Sequence, residues 1–85
     1  MTRDAIRDHI LAIFESEFEI VNPGMDDDLR EMHGFDSIDA IELLREIEDM
    51  LGFELNQEQK KQAMDHIHTL DQILDYVQGL HPATA

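Results

Sequence analysis

Residues 34–52 read GFDSIDAIELLREIEDMLG, and how this stretch divides into cap, helix and stop decides the fold. Asp36 offers a carboxylate to backbone N–H groups, and Asp39 follows three residues later, the signature of a capping box. Ile38, Ile41, Leu44, Ile47 and Leu51 then recur at three- and four-residue steps, widened by Leu43 and Met50. That period predicts an amphipathic helix over 37–51, closed by Gly52 at its C-terminus. Ser37 falls at the first helical position, with its hydroxyl directed outward. A nucleophilic serine needs a base, yet none of the five histidines lies within three residues of Ser37, and no G-x-S-x-G elbow surrounds it. The serine is therefore read as a group presented to a visitor, and the chain is expected not to be an enzyme.

Towards the N-terminus, TRDAIRDHILAIFESEF places Ile6, Ile10, Ile13, Phe14 and Phe18 on one helical face. Thr2 suits its N-cap and Asp4 its first turn. EIVNPGMDDDLREMHG breaks the period. Asn22-Pro23-Gly24 signals a turn, and Asp26 to Asp28 read as a solvated run. Ile20, Val21, Leu29 and Met32 are expected to pin this loop to the core, and loops of such length often carry function.

Towards the C-terminus two shorter helices are expected. Asn56 with Gln59 opens one, ahead of Ala63, Met64 and Ile67; Thr69 with Gln72 opens another, ahead of Ile73, Leu74 and Val77, and Gly79 ends it. Neither strand alternation nor an internal repeat is present. The predicted fold is all-α: a four-helix bundle with three longer helices, one short helix and a long loop between helices one and two. Residues 1–80 form the domain and 81–85 a flexible tail.

Twenty acidic residues against six basic ones leave a formal charge of −14 over 85 residues. Such a surface repels nucleic acid and anionic membranes and attracts partners with basic patches. Cysteine is absent, which excludes disulfides and thiol chemistry on the protein itself. With no apolar run near the ~18–20 residues of a membrane span and no signal-peptide core at the N-terminus, the expectation is a cytoplasmic monomer without membrane insertion. No metal is expected. The aspartates 26–28 do not spell an EF-hand loop, and His66 and His68, two apart, point to different sides. Met25, Met32, Met50 and Met64 are read as adaptable core filling.

Gly34-Phe35-Asp36-Ser37-Ile38-Asp39, with Glu42 and Leu43 beyond it on an acidic helix, resembles the acyl carrier protein family. Leu29 eight residues before the serine and the run GFEL after the helix extend the likeness over roughly residues 3 to 80. The resemblance implies that Ser37, beside Asp36, receives a 4′-phosphopantetheine arm from coenzyme A, and that acyl groups ride on the arm's thiol. A carrier needs no base and no cysteine, because the transferase activates the serine and the thiol is imported. The implied partners are a phosphopantetheinyl transferase and acyl-transferring or acyl-processing enzymes with basic patches. They would dock on Asp39, Glu42, Arg45, Glu46, Glu48 and Asp49. An acyl chain would be sequestered among Ile41, Leu44, Ile47, Ile67 and Ile73.

Arg45 replaces an apolar contact residue common in the family, and Lys60-Lys61 and a longer third-helix region also depart from its pattern. These features suggest a specialised carrier, in lipid or secondary-metabolite synthesis, as readily as one for fatty acids. Phe35 is read as a core residue. Two alternatives stay open: an aminoacyl or peptidyl carrier, and an acidic helical interaction module for which Ser37 would be dispensable.

Overall fold

The structure, a computed structural model, describes residues 2–80, and the tail expected at 81–85 lies outside them. The element order is α1 (Arg3–Phe18), α2 (Leu29–His33), α3 (Ser37–Leu51), α4 (Gln57–His66) and α5 (Leu70–Gln78), with no strand among the described residues. The expected all-α bundle is present. α1 packs on both α3 and α5, and α4 joins α3 to α5. None of these helices is long and apolar enough to cross a membrane.

Each long helix begins where its capping residue places it. Thr2 Oγ1 accepts the Ala5 N–H at 3.1 Å. The Asp36–Asp39, Asn56–Gln59 and Thr69–Gln72 pairs all close reciprocal capping boxes. Every box satisfies two N–H groups that the helix cannot bond internally.

The core is built from Ile6, Ile10, Ile13 and Phe14 of α1, Leu43, Leu44 and Ile47 of α3, Ala63 of α4, and Leu70, Ile73, Leu74 and Val77 of α5. Ile20, Leu29, Phe35 and Leu55 enter it from the connections. Phe14, Phe18 and Phe35 meet edge to face, with centroids 5.4–5.9 Å apart. Phe35 is thus a core residue. Tyr76 donates its hydroxyl to the Gln59 carbonyl at 2.6 Å, and burial, with Glu48 nearby, pushes its pKa up to about 12.

The sequence-based face of α3 needs correction. Ile38 and Ile41 are 74% and 52% exposed. Each three-residue step falls about 60° short of a full turn, so the series 38, 41, 44, 47 winds from solvent to core. Ile38 ends opposite Ile47, and the buried arc runs through Leu43, Leu44 and Ile47 instead.

The connection after α1 also differs from expectation. α1 ends with Glu19 at φ 56°, and Ile20 N–H returns to the Phe14 carbonyl at 3.0 Å. Ile20 and Leu29 anchor this connection, but Val21 and Met32 are 61% and 62% exposed and anchor nothing. Met25 and Met64 are exposed as well, so of the four methionines expected in the core only Met50 packs against it.

The aspartates are not simply solvated. Asp28 caps α2 by accepting the Glu31 N–H at 3.0 Å. Asp27 Oδ2 accepts the Gly24 N–H at 2.8 Å and pairs with His33 Nε2 at 3.1 Å. Leu29 N–H bonds to the His68 carbonyl at 2.9 Å and Asp71 N–H to that of Met25 at 3.1 Å, tying the connection to the α4–α5 link. Arg3 joins α1 to α5 through Asp75, at 2.8 Å, and the same Asp71.

Two outcomes follow from these contacts. Ile47→Ala removes a fully buried side chain and is expected to cost about 2–5 kcal/mol, whereas Ile38→Ala costs within about 0.5 kcal/mol, both read by urea unfolding. Equal losses would return Ile38 to the core. Secondly, the His33 hydrogen bond, reinforced by the Gly24 N–H, holds the Asp27 carboxyl below its ordinary 3.8. A depressed carboxyl pKa contributes stability that is complete above 3.8 and is lost as pH falls through the folded value. The melting temperature of Asp27→Asn should therefore fall less steeply than wild type below pH 3.8; parallel acid limbs would remove Asp27 from this linkage.

Candidate functional site

The site begins with a stop. α2 ends in Gly34 at φ 68°, a conformation that costs glycine nothing. Gly34 N–H bonds to the Arg30 carbonyl at 3.2 Å and Phe35 N–H to that of Leu29 at 3.0 Å, which satisfies two carbonyls that the end of α2 would leave free. Phe35 then drops into the core and Asp36 turns back over the next helix. Asp36 Oδ1 accepts the Asp39 N–H at 3.0 Å, and Asp39 Oδ2 accepts the Asp36 N–H at 3.3 Å. Anchored by an aromatic side chain two residues earlier, Ser37 comes out exposed at the head of α3. Among the described residues its hydroxyl has no hydrogen-bond partner.

Beside Ser37 a cleft of about 230 Å³ opens between α2, the start of α3 and the end of α4. Leu29, Phe35, Ala40, Ala63 and Ile67 give it apolar lining; Arg30, Glu31, Asp36 and His68 give it charged or polar lining. Of the five residues expected to form an acyl pocket, only Ile67 borders this cleft. Leu44, Ile47 and Ile73 are buried in the core, and Ile41 is turned outward for the reason given above. Access from Ser37 thus lies along α2 and α4, a tertiary juxtaposition with no periodicity to announce it.

The charged residues of α3 separate by angle. Glu42, Arg45 and Asp49 lie on the outer side of the helix, with Arg45 and Asp49 exposed. Glu46 turns towards α1. Burial raises its carboxyl pKa above the ordinary range, and Glu17, Asp49 and Glu42 add to the rise. Glu48 faces the other edge, where its carboxylate accepts the Leu55 N–H at 2.7 Å and fixes the chain after α3. Asp39 serves the capping box. The six expected partner-binding residues therefore do not share one free face: Glu42, Arg45 and Asp49 do, Glu46 borders it, and Asp39 and Glu48 have internal duties. No group of three or more His, Asp or Glu residues among those described is placed to hold a metal ion.

This arrangement suits covalent modification of Ser37. Its hydroxyl is accessible and unengaged, and the first turn of α3 presents a positive dipole end to a phosphodiester. A 4′-phosphopantetheine group attached there supplies the thiol that holds a cargo. Asp36 holds the exposed Ser37 in place by capping the helix. No curated protein matches the chain closely enough to count as a relative. Residues 8–77 match the family described as phosphopantetheine attachment site, which spans α1 to α5 and contains the whole arrangement around Ser37. The chain belongs to this family and is a phosphopantetheine-dependent carrier of the acyl carrier protein kind.

Proposed function

We propose that the protein carries acyl groups as thioesters on an arm attached to Ser37, and passes them between enzymes of fatty-acid or specialised lipid synthesis. It acts as a cytoplasmic monomer that performs no chemistry of its own. The observation that carries this reading is the unpartnered, exposed Ser37 hydroxyl at a rigidly capped helix start. A residue meant to act as nucleophile would be hydrogen-bonded to a base. A residue meant to be acted upon has to be reachable, and Ser37 is.

The acidic outer side of α3 supports the partner assignment. Glu42 and Asp49 form no ion pair among the described residues, so their charge is available to a basic enzyme surface. Exposed pairs contribute only ~0.2–1 kcal/mol each, so a handful gives docking that is fast, salt-sensitive and short-lived. Such docking suits a carrier that leaves each enzyme after one step.

Incubation with coenzyme A and a broad-specificity phosphopantetheinyl transferase should add one arm, read by intact mass, and Ser37→Ala should abolish it. Unmodified protein, or an arm on Ser37→Ala, would sink the carrier reading. Glu42→Lys should lower transferase kcat/KM by roughly 3–10-fold while leaving unfolding free energy within about 0.5 kcal/mol. Asp39→Lys is a poorer probe because it also breaks the capping box. Indifference of the rate to Glu42→Lys and to added salt would remove this face from recognition.

A further inference from the structure

The cleft beside Ser37 holds a cation that its surroundings do not explain. The chain has six lysines and arginines against twenty acids. Arg3 and Arg7 are spent on ion pairs with aspartates. Arg30 borders the cleft and has neither an ion pair nor a side-chain hydrogen bond among the described residues. Its backbone is fixed relative to Ser37, since its carbonyl accepts the Gly34 N–H at 3.2 Å in the turn that leads to the serine. The other wall is fastened too, through Leu29 N–H and the His68 carbonyl at 2.9 Å.

None of the acids around the cleft forms an ion pair with Arg30 among the described residues. Asp28 Oδ1 accepts the Glu31 N–H and Asp36 Oδ1 the Asp39 N–H, so both carboxylates keep their charge but are directed to the starts of their own helices. Glu31, the next residue to Arg30, adds a third carboxylate on the rim, and His68 stands on the far wall. The floor is closed: Leu29 and Ala63 are 1% exposed and Phe35 5%. A long alkyl chain meets packed side chains here, whereas a short polar group meets a guanidinium whose planar fork matches an oxyanion.

Resting on the carrier reading, we propose that Arg30 binds an anionic oxygen of the group carried on Ser37, and that the cleft thereby favours a short cargo ending in a carboxylate over a neutral alkyl chain. Two sources can supply that oxygen, the terminal carboxylate of the cargo and the phosphodiester of the arm itself.

The test loads the full chain enzymatically with coenzyme A, butyryl-coenzyme A or succinyl-coenzyme A, which gives arms with no cargo and with four-carbon cargoes lacking or bearing a terminal carboxylate. Melting temperature is compared in wild type, Arg30→Gln and Arg30→Lys, and the Arg30 Nε–Hε resonance among the differently loaded forms of wild type. The succinyl form is expected to melt about 2–5 °C above the butyryl form in wild type, with Arg30→Gln removing the difference and Arg30→Lys restoring part of it. A rise common to all loaded forms over the unmodified protein, lost in Arg30→Gln, assigns the oxygen to the phosphodiester and overturns the cargo preference alone. Melting temperatures that respond to loading alike in every variant, with a wild-type Arg30 resonance that does not move between loaded forms, overturn the whole inference. Failure to load Ser37 at all overturns the carrier reading, and this proposal with it.

Discussion

The reciprocal bonds between Asp36 and Asp39 hold α3 to one starting residue, and the rest of the molecule is arranged around that start. Two other constraints converge on it. Gly34 turns the chain at a positive φ that a side chain would resist, and Phe35 is locked by edge-to-face contacts with Phe14 and Phe18. Between a fixed aromatic residue and a fixed cap the chain has no slack. Ser37 cannot slide inward by a residue without exposing Phe35 or losing the box. Its accessibility is therefore enforced by core packing, although the serine itself is exposed.

Much of this was legible in the sequence because it is local. A capping box needs two residues three apart and reports its own position, so the helix starts at Asp36, Asn56 and Thr69 are legible from their boxes and that at Thr2 from its lone cap. α2 escaped for the same reason in reverse. Five residues are too few to show a period, and Asp28, its cap, was counted with an acidic run. Yet Asp28-Leu29-Arg30-Glu31 ahead of Gly34 carries a cap, an acid three residues on and a glycine stop, which is the available signal. The outward turn of Ile38 and Ile41 was hidden because three-residue spacing approximates a helical face only over short stretches. The cleft at Ser37 depends on where α2 and the α4–α5 link lie against α3, and no single segment encodes that.

The acids of α3 show how one helix serves folding and recognition without conflict. Asp36, Asp39 and Glu48 are committed to backbone N–H groups, two at the start and one beyond the end. They fix the helix length and the exit of the chain, so their loss would be felt in stability. Glu42 and Asp49 have no such partner and lie on the outer side. Glu46 stands between the two sets, its carboxyl pKa raised by burial and by neighbouring acids including Glu17 of α1. Charge that is costly to stability is confined to this border.

A net charge of −14 opposes compaction, and the structure answers it at few points. Arg3 bridges Asp71 and Asp75 where α1 meets α5, far along the chain from Ser37. The acids near α3 receive no comparable relief, since Arg45 points outward and Lys60 and Lys61 belong to α4 without an ion pair among the described residues. Repulsion is thus relieved at the end that holds the bundle together and left standing on the helix headed by Ser37. A basic partner gains most where neutralisation is least complete, and so, on the carrier reading proposed above, the field of the whole molecule would direct an approaching enzyme to the face that carries the serine.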